Sequence, residues 1–523
     1  MRAIKIAFER SAEPGRTECP SARSSEVVDR RKFIANTLGA GAGLAALNLF
    51  PAEIFGANSA GITPKIAVIG AGISGLSAAH HLLKAGYHAD IYEASSTAGG
   101  RIRTERGVLG RGLATEAGGE FIDSNHADML ALAREFKLPL LDIGAPSEAA
   151  LKREDYFING ARYTEHQVIH EFSGIATRIK LDQASLPENI SYRAPSAAAV
   201  KLDRMSVEEY LHSIGTRGWL FDLFRVGFTS EFGVEIGEQS ALNFLSMIGT
   251  DTSGGEFKIF GDSDERYKID GGNDLLIGEL KKRLGDRITF GSRLKSIRTR
   301  GHGFTLAFDG RGEVAADIVV VTIPFSVLRN VELPAALPDI KTRAIRELGY
   351  GTNSKLALGF DRRVWRLAGY SGYVFNDLVQ NGWDNSRLQT GNSGSGGLTV
   401  YLGGKAGVEL RGGRETQYLA ELDRIYPGTS AAYNGRSCIY HWPDNPNSLG
   451  SYSCYRVGQW TLIRGAEEAP YGNLFFAGEH CSKDFAGFMN GGAEAGRKAA
   501  MAVAARLKTL KRSNVPRAGL HSR

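Results

Sequence analysis

Residues 65–93 contain the pattern that most restricts the fold of this chain. An apolar run, KIAVIG, leads into GAGISG, and the helical spacing of LSAAHHLLKAG follows and stops at a glycine. The stretch HADIYEA then predicts a second strand that ends in Glu93. A buried strand, a glycine turn, a helix and a second strand with an acid at its end form a βαβ unit that binds a dinucleotide. This order predicts an α/β fold with a Rossmann-type parallel sheet.

The residues of the turn have separate tasks in such a unit. Gly70 permits the tight turn, Gly72 lets the backbone approach the pyrophosphate, and Gly75 lets the helix pack close to the strand. Ser74 lies in the first helical turn, whose positive end faces the phosphates, and we count it as cofactor-binding. Glu93, about 20 residues on, accepts hydrogen bonds from the adenosine ribose hydroxyls. A glycine turn without ligand is the alternative, and this pattern alone does not separate FAD from NAD.

The segment after Glu93 narrows the choice of cofactor. It reads ASSTAGGRIRT, and here the chain resembles the flavin amine oxidase family, whose members have a GGR motif after the ribose-binding acid. The resemblance implies that Gly99, Gly100 and Arg101 hold the FAD pyrophosphate, with the arginine as a fixed cation. A surface salt bridge is the alternative for Arg101. For Arg103, on the other strand face, cofactor binding and a surface salt bridge are equally expected.

The resemblance extends over residues 65–507 and implies two interleaved domains. The first is a Rossmann-type, glutathione-reductase-like FAD-binding domain, and the second is an α+β substrate domain. We expect the FAD-binding domain to comprise residues 61–130, 266–330 and 446–510. The substrate domain would then comprise a helical part, residues 131–265, and a sheet part, residues 331–445.

Two central segments resemble family regions that return to the cofactor. In YKIDGGNDLLIGEL, Gly271, Gly272 and Asn273 would open a helix on the adenine side. In GEVAADIVVVTIPFSVL, a β-branched strand leads to Pro324, which matches a family strand that ends in proline above the flavin. A buried strand without ligand would show the same apolar run, so this match is supporting evidence only.

The C-terminal run NLFFAGEHCSKDFAGFMNGGAEAG also resembles a family segment. By that resemblance Glu479, the acid after FAG, bonds the ribityl or pyrophosphate part of FAD. Met489 lies where the next helix begins, and we count it as cofactor-binding. The small residues from Gly491 to Gly496 would let the backbone lie against a planar ligand, and the helix N-terminus would stabilise negative charge on reduced flavin. A capped surface helix is the alternative.

Lys355 is the candidate catalytic residue. LGYGTNSKLALGFDRRVW resembles the family strand whose lysine reaches flavin N5 through a water. A lysine among apolar neighbours is costly to bury unless its charge is paired or has a task, and an exposed strand position is the alternative. Amine oxidation by flavin requires an oriented neutral amine rather than a strong acid–base pair.

HWPDNPNSLGSYSCYRVGQW resembles the segment that supplies one side of an aromatic cage above the flavin. This resemblance assigns Tyr455 to one side and Phe488, where monoamine oxidases have tyrosine, to the other. Two facing rings orient an amine nitrogen and attract its cationic form, and core packing is the alternative for both. Cys454 corresponds to the cysteine through which monoamine oxidases attach FAD covalently, although non-covalent binding beside a small buried cysteine is favoured.

The expected activity is FAD-dependent amine oxidation by hydride transfer from the amine-bearing carbon, giving an imine that hydrolyses to an aldehyde. The stretch GGEFIDSN lacks the arginine with which family L-amino-acid oxidases hold the substrate carboxylate. Glu120 and Asp123 could hold a distal ammonium, although each could equally be a solvated acid or a helix cap. A primary amine or polyamine is therefore ranked above an L-amino acid.

Several alternatives stay open at this point. A carboxylate-binding arginine could come from the poorly matched middle of the chain, where Arg225 and Arg266 have no assigned role. A flavin-binding protein without turnover is a third reading. The electron acceptor could be O2, giving H2O2, or a quinone or cytochrome. The sequence leaves the oligomeric state open, and a homodimer is one candidate.

The N-terminal segment, residues 1–60, predicts export. DRRKFIANTLGAGAGLAALNLF joins Arg30 and Arg31 to a weakly apolar, glycine-rich run, which is typical of a twin-arginine signal. An amphipathic helix or a membrane anchor is the alternative. The signal predicts the twin-arginine translocase as a partner and a periplasmic or secreted protein, since that route carries folded cofactor enzymes.

Charge and cysteine content exclude other classes. Residues 1–60 carry +2 and residues 497–523 carry +8 of the formal net charge of +6, so the body of the chain carries −4. An acidic body argues against a nucleic-acid partner, and residues 511–523 form a basic tail. Four cysteines without a CxxC pair predict neither a disulfide framework nor a zinc site, so no metal is expected.

Overall fold

A computed structural model describes residues 64–391 and 394–513, with side chains to residue 509. The predicted signal segment and the part of the predicted basic tail beyond residue 513 lie outside the described residues. Within the two described ranges, no helix combines the length and the apolar character needed to cross a membrane.

A five-stranded parallel sheet forms the centre of the dinucleotide-type part. Two of its three inner strands, Ile66–Ile69 and Ile318–Val321, consist entirely of buried residues, as expected for a parallel sheet that is covered on both faces. The strands in spatial order are β19 (Leu474–Phe476), β13 (Ile318–Val321), β1 (Ile66–Ile69), β2 (Ala89–Tyr92) and β9 (Ile288–Thr289). The chain order reverses between β1 and β13, and ligands of such sheets bind at the carboxyl ends of the strands at this point.

Three long helices belong to this part of the fold: α1 (Ile73–Lys84), α9 (Asp274–Leu284) and α17 (Met489–Ser513). Helix α17 packs closely along α1, because a Cβ at Gly496 would lie 2.1 Å from the Ser74 carbonyl oxygen. The Ser77 hydroxyl donates to the Ala493 carbonyl at 2.8 Å in the same contact. The small residues at Gly492 and Gly496 therefore serve helix packing, which corrects the expectation that they lie against a planar ligand.

Smaller antiparallel elements connect the two parts. They are a three-stranded sheet of β10 (Leu294–Arg300), β11 (Gly303–Phe308) and β12 (Arg311–Ala316), a ladder of β3 (Thr104–Arg106) and β4 (Ala114–Glu116), and a ladder of β5 (Leu140–Asp142) and β8 (Tyr267–Ile269). Strand β8 also bridges to Ile122, and this bridge brings the segment after β4 beside β8.

A seven-stranded mixed sheet forms the other part of the fold. Its strands in spatial order are β18 (Tyr433–His441), β14 (Ser354–Phe360), β17 (Gly396–Leu402), β16 (Gln380–Asp384), β15 (Tyr370–Asn376), β6 (Lys152–Ile158) and β7 (Ala161–Tyr163). Every residue of β14 is buried, and Lys355 pairs with Tyr401 of β17. The stretch 131–265, predicted as helical, therefore also supplies two strands to this sheet.

The remaining helices of the described chain surround the two sheets. They are α2 (Ala127–Glu135), α3 (Pro146–Ala149), α4 (Glu165–Ala184), α5 (Ala197–Asp203), α6 (Val207–Ser213), α7 (Gly218–Phe232), α8 (Ala241–Met247), α10 (Phe325–Leu328), α11 (Asp339–Glu347), α12 (Val364–Leu367), α13 (Gly404–Glu409), α14 (Glu415–Ile425), α15 (Thr429–Ala432) and α16 (Gln459–Leu462). A Rossmann-type sheet combined with an α+β part confirms the predicted fold class.

Candidate active site

The glycine turn between β1 and α1 has the geometry that the sequence predicts. Gly70 has a φ of +103°, and a Cβ at Gly75 would lie 2.0 Å from the Gly70 carbonyl oxygen. The GGR turn lies against it, since the Gly99 amide donates to the Ala71 carbonyl at 2.8 Å. A Cβ at Gly100 would lie 3.3 Å from the Cα of Gly72. Two backbone turns without side chains thus face each other at the carboxyl end of β1.

The groups at this turn fit a dinucleotide. Gly72 is the N-cap of α1, and no described side chain caps it, so the first amide groups of α1 can bind an anion. Among the described residues, the buried Ser74 hydroxyl has no hydrogen-bond partner in the protein. The Glu93 carboxylate accepts from the Ala71 amide at 2.6 Å and the Ser95 amide at 2.8 Å. Each carboxylate oxygen has a second lone pair that could accept from a ribose hydroxyl.

Arg101 reaches the C-terminal segment. Its Nη1 donates to the Ser451 carbonyl at 2.7 Å and to the Glu479 carboxylate at 3.0 Å. Glu479 also accepts from the amide and hydroxyl of Ser453 and from the Gly487 amide, so four donors occupy its lone pairs. Burial alone would raise the pKa of Glu479, but Arg101 and these hydrogen bonds lower it on balance. Glu479 therefore organises Arg101 and the Gly487 loop, and its direct bond to FAD stays a prediction.

Other predicted cofactor residues lie nearby or point elsewhere. Helix α17 begins at Met489, whose side chain lies against Gly119, because a Cβ there would be 2.6 Å from the Met489 Cγ. Asn273 is the N-cap of α9, and its side-chain amide donates to the carbonyls of Gly119 and Glu120. Arg103 pairs with Glu105 at 2.6 Å on the surface, where 66% of its side chain is exposed. Arg103 therefore forms a surface salt bridge and does not reach the cofactor-binding turn.

Lys355 is buried at the junction of the two parts. Its Nζ donates to the Gly118 carbonyl at 2.8 Å, to the Glu116 carbonyl at 3.2 Å and to the Glu120 carboxylate at 3.0 Å. An ammonium has three N–H groups, and all three have acceptors here. The structure therefore excludes the exposed position that the sequence left as an alternative.

Two aromatic rings lie beside the Lys355 ammonium, and two more pack against them. Its Nζ lies 5.1 Å from the centroid of the Trp383 ring and 5.8 Å from that of Tyr401. The Tyr401 and Tyr452 hydroxyl oxygens lie 3.0 Å apart, and the Phe121 ring contacts Trp383 at 5.5 Å between centroids. Burial first, and then the neighbouring acids, raises the pKa of the Tyr401 phenol above its usual value of 10. We call Phe121, Trp383, Tyr401 and Tyr452 the aromatic shell.

Gly487 and Phe488 form the end of the loop before α17, which we call the Phe488 loop. The tyrosine that faces this loop is Tyr452 and not Tyr455, which corrects the predicted cage. A Cβ at Gly487 would lie 3.2 Å from the Tyr452 ring. The Tyr455 hydroxyl instead donates to Glu467 at 3.1 Å, and its ring packs against Trp460 at 5.2 Å. The ring of Phe488 lies edge-on to His126 at 5.2 Å between centroids.

The physical reason is an alternation of side chains along an extended segment. The Tyr452 carbonyl accepts from the Gly351 amide, and the Cys454 amide donates to the Gly349 carbonyl, so residues 452–454 are extended. Successive side chains of an extended segment point to opposite faces. Positions 452 and 455, three residues apart, must therefore lie on different faces.

Cys454 lies on the same face as Tyr452 but away from its ring. Its Sγ accepts from the Asn243 side-chain amide at 3.4 Å, and only 1% of the residue is exposed. Burial raises the pKa of the thiol to about 12. A thioether bond requires a reactive thiolate, so this environment does not favour covalent attachment.

The two predicted substrate acids are both engaged by the protein. The Glu120 carboxylate accepts from Lys268 at 2.7 Å and from Lys355 at 3.0 Å, which leaves it poorly placed for a substrate ammonium. The Asp123 carboxylate accepts from the Ser263 hydroxyl at 2.8 Å and the Glu265 amide at 3.0 Å. Asp123 does not cap α2, whose N-cap is His126. Asp123 instead positions the loop that carries Glu265.

Asp123, which is buried, and Glu231 and Glu265, which are half-buried, form an acidic cluster beside the aromatic shell. The Tyr452 hydroxyl donates to the backbone carbonyl of Glu231. Burial, followed by repulsion from Asp123, raises the pKa of Glu231 to about 7, and the same causes raise the pKa of Glu265 well above 4.5. Glu265 has a φ of +46°, a left-handed backbone conformation that is uncommon for a non-glycine residue.

The two arginines without an assigned role are paired with aspartates. Arg266 forms two hydrogen bonds to Asp142, both at 2.9 Å, and Arg225 pairs with Asp222 at 3.1 Å. These contacts remove both from the candidates for a substrate carboxylate.

The comparison with known proteins agrees with this geometry. The family model described as flavin containing amine oxidoreductase matches residues 73–504, well over half of the 523 residues.

The chain belongs to the flavin-containing amine oxidoreductase family.

The names of individual relatives refer to different amine substrates. The putative L-amino-acid oxidase YobN of Bacillus subtilis (strain 168) is 28% identical over 485 residues, which cover 85% of this chain and 96% of YobN. Polyamine oxidase 4 of Oryza sativa subsp. japonica is 24% identical, covering 84% of this chain and 88% of its own. The structure of cyclohexylamine oxidase from Brevibacterium oxydans IH-35A matches with a TM-score of 0.75 and 22% identity, covering 86% of this chain and 100% of that chain.

Family membership makes this protein an oxidoreductase that acts on CH–NH2 groups, with FAD as the implied cofactor. The residues that sequence reasoning missed are Tyr401, Tyr452, Trp383, Lys268, Glu231 and Glu265. The period-two alternation of SYSCY was a usable signal for Tyr452, because it separates the two tyrosines by face. For Lys268, Glu231 and Glu265 the contacts are long-range, and we find no sequence signal.

Proposed function

We propose that this family member is an FAD-dependent amine oxidase that converts an amine to an imine, which water hydrolyses to an aldehyde and ammonia or a smaller amine. FAD, when bound, accepts the hydride from the carbon beside the amine. The observation that carries the proposal is the immobilised ammonium of Lys355, beside the aromatic shell and the Gly118–Gly119 backbone. This arrangement lies where the seven-stranded sheet meets the Gly118–Glu120 segment, whose Gly119 amide donates to the Arg101 carbonyl of the GGR turn.

The residues of the shell would bind and orient the substrate. Tyr401 and Tyr452 keep their protons at physiological pH, since burial raises the pKa of both phenols. Neutral rings attract an alkylammonium through their faces and hold the nitrogen in one direction after its proton is lost. Glu120 would keep the Lys355 ammonium in position, and this ammonium would have to exchange one of its three present acceptors to hold the water that the family lysine places near N5.

Glu231 and Glu265 favour a primary amine that carries a second positive charge, such as a diamine or polyamine. The Tyr452 hydroxyl of the shell donates to the backbone carbonyl of Glu231, and burial followed by repulsion from Asp123 raises the pKa of both acids, so a nearby cation would compensate their ionised forms. A second ammonium would provide that compensation. The name of the YobN relative keeps an L-amino acid as the second candidate, although Arg225 and Arg266 are already paired with aspartates.

We propose non-covalent FAD, because Cys454 is held as a neutral thiol against Asn243. Acid precipitation of purified protein should release all of the yellow colour into the supernatant. Colour that stays with the denatured protein would show covalent attachment. We propose O2 as the electron acceptor, with H2O2 as the product.

Anaerobic mixing of the holoprotein with a substrate panel tests the activity directly. We expect diamines to bleach the flavin absorbance fastest, followed by monoamines and then L-amino acids. Re-admission of air should restore the absorbance and release H2O2. No bleaching by any member of the panel would support a flavin-binding protein without turnover instead.

We also propose export through the twin-arginine translocase to the periplasm or exterior, on the basis of Arg30 and Arg31 in the N-terminal segment. The test compares the wild-type chain with a variant in which both arginines are lysine. We expect the wild type outside the cytoplasm with a shortened N-terminus, and the variant inside with an intact one. Wild-type protein recovered from the cytosol with its N-terminus intact would contradict export.

A further inference from the structure

Three buried charges meet behind the aromatic shell, and we call Lys268, Glu120 and Lys355 the lysine triad. Lys268 of β8 donates to one oxygen of Glu120 at 2.7 Å, and Lys355 of β14 donates to the other at 3.0 Å. The side chains are only 4%, 2% and 5% exposed. The triad joins two strands from different sheets to the segment that follows β4.

Every ammonium proton of Lys355 is used in this arrangement. Two go to the carbonyls of Gly118 and Glu116, and the third goes to Glu120. Lys268 holds the opposite side of Glu120 and also donates to the Asn385 carbonyl at 2.9 Å. The carboxylate therefore cannot turn away from Lys355 without losing its second ionic partner.

Stability does not account for this arrangement. Two ammonium groups and one carboxylate leave an excess positive charge in the interior, and well-packed apolar residues are commonly as stable as a buried ion pair. The nearest further acid, Glu116, is occupied by the Thr104 hydroxyl and the Asn273 amide, both at 2.8 Å. Burial raises the pKa of Glu116 to about 7, so near neutral pH it compensates the excess only in part.

We propose that Glu120 and Lys268 are positioning residues that hold the charged end of the Lys355 side chain at one point. Reduction brings negative charge to the bound flavin, and a cation that is already in place stabilises it without reorganisation. The inference rests on the proposed place of Lys355 beside the flavin. It does not depend on which amine is oxidised.

The first test measures the midpoint potential of the bound flavin by reductive titration without any amine. The reference is Lys355→Met, for which we expect a more negative potential by at least a tenfold change in the reduction equilibrium, about 30 mV for a two-electron couple. The variant Glu120→Gln distinguishes a positioning role of Glu120 from a purely electrostatic one. Simple loss of a nearby anion would make the potential more positive, whereas loss of a held cation makes it more negative. We expect the negative shift, and an unchanged or positive shift overturns the proposal.

The chain offers a matched control in Glu148. Its carboxylate is also buried between two cations, Arg366 at 2.6 Å and Arg387 at 2.9 Å, but this cluster joins α3, α12 and the loop after β16 rather than the strands β8 and β14 of the lysine triad. Glu148→Gln should weaken folding without shifting the flavin potential. An equal shift in Glu148→Gln and Glu120→Gln would show general loosening of the protein and overturn the positioning role.

The second test follows Lys355 itself and needs no flavin. Reductive methylation modifies only a free amine, and mass spectrometry reports its rate at Lys355 in both apo- and holoprotein. We expect a rate at least tenfold higher in Glu120→Gln than in the wild type or Glu148→Gln.

If Glu120→Gln does not fold, the variant Glu120→Gln/Lys268→Met keeps the wild-type excess of one cation and still removes the ionic partner of Lys355. It should show the same fast methylation and the same negative shift. Wild-type values in this double variant would overturn the proposal. Absence of amine oxidation by the wild type would refute the proposed function instead and leave these measurements intact.

Discussion

The molecule contains two buried carboxylates that are each shared between two cations, and they differ in the kind of cation. Glu148 lies between Arg366 and Arg387, and Glu120 lies between Lys268 and Lys355. Arginine presents a rigid planar fork that stays charged, so the Glu148 set joins α3, α12 and the loop after β16 permanently. Lysine is a compact charge on a flexible stem, which other groups must hold in place. Burial and pairing alone therefore do not mark a functional site.

The same contrast recurs in two further pairs. Tyr452 and Tyr455 are three residues apart, yet the first contacts the Phe488 loop and the second contacts Glu467. The pKa of Glu231 and that of Glu467 are both raised to about 7 by burial. Glu467 accepts from the Tyr455 hydroxyl and the Gly465 amide, whereas Glu231 lies in a cluster of acids. In each pair we assign one member to the proposed site and the other to the framework.

The largest expected effect is on folding, and there the two carboxylates should behave alike. Glu120→Gln and Glu148→Gln each remove the carboxylate that two buried cations share, and each should lower the free energy of unfolding by about 3–5 kcal/mol. Urea denaturation of the holoproteins measures it. A loss below 1 kcal/mol in either variant would show that the pairing is not maintained in solution.

Catalysis should then separate the two clusters. Lys355→Met should lower kcat by about 100-fold, because it removes a preorganised charge from the site. Arg366→Met should weaken folding but leave kcat within about twofold, since it lies outside the site. Steady-state kinetics at equal FAD saturation measures both. A comparable loss of kcat in Arg366→Met would remove the distinction between site and framework.

Glu231 and Glu467 should differ in how pH affects substrate binding. Since both pKa values are raised from 4.5 to about 7, each group favours the folded state below pH 4.5, and that contribution is lost as pH rises through about 7. Above pH 7 the ionised Glu231 can bind a second ammonium, so KM for a diamine should fall as pH rises through 7.

The matched variants test this difference. Glu231→Gln should flatten the pH dependence of KM and raise KM by about tenfold above pH 7, which is about 1.4 kcal/mol. Glu467→Gln should keep the wild-type profile of KM. Identical profiles in the two variants would count against the acidic cluster as the binding site.

The smallest expected effect separates the two tyrosines. Tyr452→Phe should lower kcat/KM about fivefold, since it removes the hydroxyl contact with Tyr401 that positions the ring. Tyr455→Phe should leave kcat/KM unchanged and lower the free energy of unfolding by about 1 kcal/mol through the lost bond to Glu467. The opposite assignment of these effects would restore Tyr455 to the cage.

Local patterns were sufficient for the dinucleotide part. The strand, the glycines, the helix and Glu93 lie within 29 consecutive residues, from Lys65 to Glu93, and the backbone geometry there follows from residue type alone. Lys355 was also found from its own strand, since a lysine within an apolar run is conspicuous. The assignment of Tyr455 to the cage was wrong, however, because the resemblance of SYSCYRVGQW did not specify which tyrosine shares a face with the Phe488 loop.

The sequence by itself determined the α/β fold, the family, the glycine turn and the lysine, because each depends on residues that are neighbours along the chain. Only the tertiary structure decided that Glu120 binds two lysines, which are 148 and 235 residues away, and that Tyr452 lies in the shell. The reason is physical. A side chain at a sheet junction obtains its partners from strands that are distant in sequence, and the register of those strands is set by packing of the whole core.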